Sequence, residues 1–398
     1  MTAHRDLGPS LPPLQDGRGV LVARRVWPDA GAGPEALVVE ATGEDGRVVA
    51  ATVARGVAVV LDQHQDHSLP GLTRWRGHPR ARLIAHRCGK RAVLTLHDVG
   101  VCRTDPPTQY VKLARPAATE RAAERLESVR RALARSPRAP SVPEVDEQDL
   151  DVGVLMLAAL PGPSVRELIL QAAASGLVRG AEQAGRRVGV ALTAFAAAPA
   201  ADGIGVHTVQ DELAVLEQWV GASLRCSVVR GVFRERLVAA HRSATARLLA
   251  LPPAPAVLTH RDLHDGQVLV RPKGFRSGAH PRSTVAFLDL DTVAYADPAL
   301  DLGNLLAHLD LLAGRRGAGA ETVLAAASFQ DGVAQALSAE GHPVTGHDPE
   351  RVEAFRAATR VRLAAVHAFR PGAPDLVPAL LGPSTLAAWT GPNMKVPS

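Results

Sequence analysis

The chain has 398 residues, 46% hydrophobic and 21% charged, which is room for a two-lobed protein with a sizeable core and excludes global disorder. Its excess of basic residues is only +5 and scattered, and aromatics make up 3%, so the material for tracking and stacking a nucleic acid is missing. No apolar run reaches the roughly 18 residues that span a bilayer, nothing resembles a secretory leader, and three cysteines (Cys88, Cys102, Cys226) without metal-like spacing point to a reducing cytoplasm.

Residues 1–19 are polar and rich in Pro and Gly, the pattern of a loose arm. From Val20 to about Leu61 the β-branched content rises, with Gly43-Glu-Asp-Gly46 as a hairpin turn between two apolar runs. Residues 62–80 read as a linker. Asp62, His64, Asp66 and His67 within it could mimic a metal site, but no rigid element holds them, so a polar linker is expected. A second strand block follows: 82–86, a turn at Cys88-Gly89, 92–96 and 110–114. Residues 117–135 carry Leu126, Val129 and Leu133 at helical spacing, and Pro137, Pro140 and Pro143 end that run. Val152 to Leu157 is a short buried strand stopped by Pro161-Gly-Pro163. Residues 164–250 are helical in period, a strand pair lies at 267–290, and 298–390 are helical again. A small strand-rich part and a larger helical part would leave a cleft between them, a preferred place for a small ligand.

The chemistry concentrates in Leu258-Thr-His-Arg-Asp-Leu-His-Asp-Gly-Gln-Val-Leu-Val270 and in the stretch from Val285 to Leu302. Gln267 opens one short apolar strand and Asp289 closes the next. Paired antiparallel, these strands bring the Gln267 amide and the Asp289 carboxylate to the same end. Two hard oxygens there suit Mg²⁺ with phosphates. Asp262 sits on a loop at that end, where a carboxylate can accept the proton of an incoming hydroxyl. The chain supplies its own control: His4-Arg-Asp-Leu7 repeats the tetrapeptide, but Leu11 stands where Gln267 would be and no strand follows. H-R-D alone therefore carries no assignment.

The segment resembles the catalytic loop of the aminoglycoside phosphotransferase family, which has the protein-kinase-like fold. That family's pattern is H-x-D-x-x-x-x-N, a hairpin, I-D-x-x, then G-D-P-x-x-D-L. His260, Asp262, Gln267, Asp289, Asp297-Pro298 and Asp301-Leu302 match it, with Gln267 in place of the usual asparagine. The resemblance implies an α+β, two-lobed fold: a small antiparallel sheet lobe at 76–160 and a helical lobe at 161–398 that carries the catalytic loop. Residues 1–75 would form a β-rich extension or cap. It implies Asp262 as catalytic base, Gln267 and Asp289 as metal ligands, and His260 and Asp301 as loop supports. Asp291 is either a secondary ligand or a loop-ordering acceptor. Asp297 is expected to cap the following helix.

Lys112 is one of only four lysines (Lys90, Lys112, Lys273, Lys395) among 45 basic residues, and strand alternation turns it to the face opposite Val111 and Leu113. It resembles the strand lysine that holds ATP phosphates in such kinases. Its orienting glutamate would come from Glu120, Glu124 or Glu127, with Glu124 favoured. Arg87-Cys88-Gly89-Lys90 is the expected turn over the nucleotide, and Met156, Ala158 and Leu160 the expected adenine-facing hinge. The implied activity is transfer of the γ-phosphoryl group of ATP, with Mg²⁺, to a hydroxyl of a small molecule resembling an aminoglycoside, a sugar or another antibiotic. The alternative is a catalytically weak kinase-like module that binds a nucleotide or ligand.

Overall fold

The computed structural model describes residues 6–29, 31–61, 66–75, 77–98, 106–271, 283–315, 317–340 and 348–389. The β-branched stretch at the start folds as a meander of β1 (Gln15–Asp16), β2 (Gly19–Pro28), β3 (Leu37–Gly43), β4 (Val48–Ala54) and β5 (Val57–Leu61), antiparallel throughout and in that order. The turn between β3 and β4 closes with Gly46 N–H donating to Gly43 C=O at 2.9 Å. Gly46 has φ +75, a left-handed value that glycine adopts without strain.

A second antiparallel sheet has the order β6-β7-β8-β10-β9: β6 (Ala81–Arg87), β7 (Arg91–Leu96), β8 (Gln109–Ala114), β9 (Val145–Asp149) and β10 (Val154–Ala158). Val111 and Leu113 of β8 are buried on one face, while Lys112 stands on the other between Val93 and Leu155. Helix α1 (Pro116–Leu133) follows β8 at once, with proline in its first turn and Leu126, Val129 and Leu133 buried.

The two sheets are joined through buried polar groups. Glu40 accepts from the His86 backbone N–H at 2.8 Å and from Arg25 at 2.6 Å. Asp66 corrects the linker reading. It is buried and accepts from the His86 ring at 3.0 Å and the Gly89 N–H at 2.9 Å, anchoring the β6–β7 turn. Leu69, Leu72 and Trp75 pack beneath the second sheet. Asp62, His64 and Cys102 lie outside the described residues.

The larger part is helical: α2 (Val165–Ser175), α3 (Val178–Ala196), α4 (Val209–Arg225), α5 (Gly231–Leu249), α6 (Ala299–Ala313), α7 (Ala320–Ala339), α8 (Pro349–His367) and α9 (Ala373–Leu381). Ser164 with Glu167 and Thr208 with Asp211 form capping boxes that start α2 and α4. Helices α3 and α7 cross with backbones nearly touching. A Cβ on Gly185 would meet the Phe329 carbonyl oxygen at 2.1 Å, and one on Gly332 the Glu182 carbonyl oxygen at 2.1 Å. No helix among the described residues is long and apolar enough to cross a membrane.

Between α5 and α6 run four short strands: β11 (Val257–Thr259), β12 (Val268–Val270), β13 (Val285–Phe287) and β14 (Ala294–Ala296). Strand β12 pairs antiparallel with β13, and β11 with β14. Phe287 is fully buried and meets Phe195 edge-to-face at 5.4 Å, which fastens the hairpin to α3. The first sheet also reaches the helical part. Gly8 N–H donates to Val228 C=O at 2.9 Å, and the Arg370 guanidinium lies 4.9 Å from the Trp27 ring.

Candidate active site

The β12–β13 register sets Val268 opposite Phe287, so the residues just beyond the pair, Gln267 and Asp289, share one end. Leu288 N–H donates to the Gln267 carbonyl at 2.9 Å, and the Gln267 side-chain amide lies 3.4 Å from Asp289 Oδ2. Gln267 is buried and its Oε1 has no hydrogen-bond partner. An unsatisfied buried amide oxygen is costly, and a ligand-binding role accounts for it. Asp289 takes a left-handed backbone, φ 60, one of four non-glycine residues with positive φ among those described. Such strain concentrates at functional sites.

Lys112 reaches across from β8. Its Nζ lies 2.5 Å from Asp289 Oδ1 and 3.1 Å from Asp291 Oδ1. Arg91 stands 3.9 Å from Asp289. Burial opposes the Asp289 charge, but Lys112 and then Arg91 outweigh it and hold the carboxyl well below the usual carboxylate range. Burial likewise opposes the ammonium of Lys112, and Asp291 and Asp289 more than restore it, so its pKa is raised.

The loop carrying Asp262 is braced from α6. Asp301 is buried and accepts the backbone N–H groups of His260 at 2.7 Å and Arg261 at 2.8 Å. Asn304 donates to the Arg261 carbonyl at 2.7 Å. The His260 ring contacts the Leu288 carbonyl at 2.7 Å and packs edge-on against Phe287, tying the loop to the hairpin. Arg261 sits at φ 68, so these contacts hold a conformation the chain would not choose alone. Asp262 itself is left open. Its side chain is 42% exposed, and its ionic neighbour, Arg362, is 3.8 Å away.

A cavity of about 430 Å³ opens at Lys112 and is lined by Arg25, Lys90, Arg91, Arg121 and Arg125 as well as Asp289 and Asp291. Six cations facing two carboxylates suit a polyanion. Arg121 and Arg125 come from the α1 face expected to carry the glutamate. Glu120, Glu124 and Glu127 are all exposed, and the carboxylates on Lys112 are Asp289 and Asp291, so the Glu124–Lys112 pair is not formed. Arg125 additionally donates to the Asp291 carbonyl.

The hinge residues are partly committed. Met156 is buried in the sheet core, and the Ala158 N–H donates to Glu144 C=O at 2.9 Å. Leu160 is half-buried, and none of the three lines the cavity. Cys88, in the turn beside Lys90, has its thiol pushed up to about 11 by burial and by Asp66, which keeps it protonated and inert. A larger open groove of about 1170 Å³, with Arg18, Arg47 and Arg82 on its walls, lies by the first sheet and shares no residue with this site.

The donor set fits a divalent cation. The Gln267 amide presents its nitrogen to the ionised Asp289 carboxylate, and a turn of that amide about its last bond would bring its orphaned oxygen there instead, giving two hard oxygens beside a cavity rich in groups for phosphates. Sequence reasoning missed Arg121, Arg125 and Arg362. The first two share one helix face at a spacing of four, which is readable; nothing in the sequence marks Arg362.

Residues 101–337, more than half of the chain, match the profile of the phosphotransferase enzyme family. Similar solved structures include aminoglycoside phosphotransferase APH(3'')-Id from Streptomyces rimosus, at 15% identity over 73% of this chain and 96% of that one, with a TM-score of 0.47. A glucosamine kinase in complex with glucosamine, ADP and inorganic phosphate shares 19% identity over 91% of this chain and 92% of that one, with a TM-score of 0.45. No curated protein sequence matches. The family match takes in the Lys112 strand, the loop of Asp262 and the hairpin end with Gln267 and Asp289, and the chain belongs to the phosphotransferase enzyme family.

Proposed function

We propose that the protein is a cytoplasmic, ATP-dependent O-phosphotransferase that moves the γ-phosphoryl group to a hydroxyl of a small molecule, sugar-like or antibiotic-like. Lys112, with Arg91, Arg121 and Arg125 around the cavity, holds the phosphates. Gln267 and Asp289 hold Mg²⁺, which supplies positive charge against the charge that builds on the phosphate oxygens. Asp262 aligns the acceptor hydroxyl. As the acceptor oxygen bonds to the γ-phosphorus, the bond from that phosphorus to the ADP oxygen breaks, and the hydroxyl proton passes to the Asp262 carboxylate. His260, Asp301 and Asn304 keep the loop in place, and Asp291 orders the same corner through Lys112.

The observation that carries this reading is the meeting of Lys112, Asp289 and the Gln267 side-chain amide at one hairpin end, with Asp262 open to solvent on the braced loop. The test is ADP release from Mg-ATP across a panel of sugars and hydroxylated antibiotics, run with the parent and with Asp262→Asn. One or more acceptors should stimulate release, and the variant should lose about 10²-fold or more of that rate. Equal stimulation in the variant would end the assignment. A second reading, a binding module without transfer, draws on Lys112 being engaged by two aspartates. Tight ATP binding with no stimulation by any acceptor would favour it.

A further inference from the structure

Asp262 borders a second group of side chains that phosphate binding does not use. Arg362 of α8 lies 3.8 Å from Asp262, donates to Asn304 Oδ1 at 3.0 Å, and keeps its buried Nε without a partner. Two residues beyond Asp262, the His264 ring stacks on His308 of α6, with centroids 4.7 Å apart and planes 25° apart. His264 Nδ1 accepts the Gly266 N–H at 3.0 Å. His308 Nδ1, His367 Nδ1 and Arg370 Nη1 are buried and unpartnered.

Guanidinium groups and uncharged imidazoles gather here: burial, then His264 and Arg362, hold the His308 pKa well below its ordinary value, and burial, then Arg370, Arg315 and Arg166, do the same for His367. Apart from Asp262, the carboxylates that face these groups are already engaged. Asp265 is bound by both arms of Arg166, at 2.8 and 2.9 Å. Glu167 caps α2 through Ser164, Glu212 pairs with His207 at 2.9 Å, and Glu40 pairs with Arg25. Among the described residues Arg362 has the open Asp262 carboxylate at 3.8 Å and the charge of Glu212 nearby, while its buried Nε is left for a further acceptor.

His264, Asp265 and His308 do place ligand atoms within 4.8 Å of one another. A metal ion is nevertheless a poor occupant. Stacked rings hold their lone pairs in separate planes, and both Asp265 oxygens are taken by Arg166. The Arg362 and Arg166 guanidiniums beside the pair repel a metal ion and a polycation alike.

We propose that the acceptor carries an anionic group, a carboxylate or a phosphate, which Arg362 and the His264–His308 pair bind beside Asp262. This rests on the phosphotransferase reading of Asp262, and it sets an acidic hydroxyl compound, rather than a polyamine antibiotic, as the substrate class.

Two readouts test it. The first needs no turnover: histidine-ring NMR, assigned with His264→Gln and His308→Gln, during titration with sulfate, D-glucuronate and D-glucosamine in the presence of Mg-ADP. Sulfate and glucuronate should shift both rings saturably, glucosamine should not, and Arg362→Gln should weaken the anions about tenfold or more, while Arg362→Lys should recover part of the loss. Absence of a saturable shift with either anion, or tighter binding of glucosamine, overturns the proposal. The second readout is ADP release with glucuronate, glucose and glucosamine. The anion should show the highest kcat/KM; a highest value for glucosamine overturns the proposal. Saturable anion binding with no turnover of any of the three upholds the anion site and counts against the transfer reading, so the two failures are distinguishable.

Discussion

Asp301 holds the loop of Asp262 through two charge-assisted hydrogen bonds, 2.7 Å to His260 N and 2.8 Å to Arg261 N. Bonds of this type contribute about 1.5–3 kcal/mol each. In Asp301→Asn the remaining carbonyl oxygen can keep one of them, weakened, and the other N–H meets an amide that also donates. A counter-effect comes from burial, which raises the Asp301 pKa, so removing the charge recovers part of its desolvation cost. The net loss should be about 2 kcal/mol, measured by urea denaturation. Arg261, no longer held at φ 68, can relax, and Asp262 moves with it. The account therefore predicts a fall in kcat of about tenfold or more with ATP affinity unchanged. A variant within about 0.5 kcal/mol of the parent and equally active would refute the bracing argument.

Asp310 is 1% exposed and is shared by Arg356 and Arg360 at 2.7–2.9 Å, so Asp310→Asn, which removes their shared carboxylate and leaves Arg356 with the Glu353 carboxylate alone, should cost about 3 kcal/mol; an unchanged thermal melt would contradict this. Lys112→Met leaves Asp289 without its main counter-charge and should weaken ATP binding about 10- to 100-fold by calorimetry, with equal affinity as the adverse result. Burial, then Arg370, Arg315 and Arg166, hold the His367 imidazole down at about 4, against about 6.5 in the unfolded chain. The unfolded state therefore takes up the proton first. Stability is fully present above about pH 6.5 and declines by about 3 kcal/mol as pH falls towards 4, and His367→Gln should flatten that slope; parallel pH curves would count against it.

The order of elements is legible because the periods are clear. Val111 and Leu113 alternate with Lys112, and Leu126, Val129 and Leu133 repeat helically, so each segment's buried face follows from its own residues. Strand β9 is not legible. Val-Asp-Glu-Gln-Asp has low strand propensity and forms an edge strand only because β10 offers a paired neighbour. Asp66 misleads for a related reason: its partners His86 and Gly89 are some twenty residues away, and composition carries no trace of them. The meeting of Gln267 with Asp289 can be read because two short apolar strands paired antiparallel set the start of the first beside the end of the second. Glu124 fails on helix rotation. Ala118, Arg121, Ala122 and Arg125 form one face towards the cavity, which turns the glutamates to solvent, and the spacing already contained that answer.

The hairpin-end arrangement is tested most directly by the change in ATP affinity on adding Mg²⁺, measured by thermal-shift titration in the parent and in Gln267→Leu. The ratio of affinities with and without the ion, taken within each protein, isolates the metal from any change in nucleotide contacts. The account predicts a large ratio in the parent that falls about tenfold or more when the amide oxygen is removed. Identical ratios in the two proteins would contradict it.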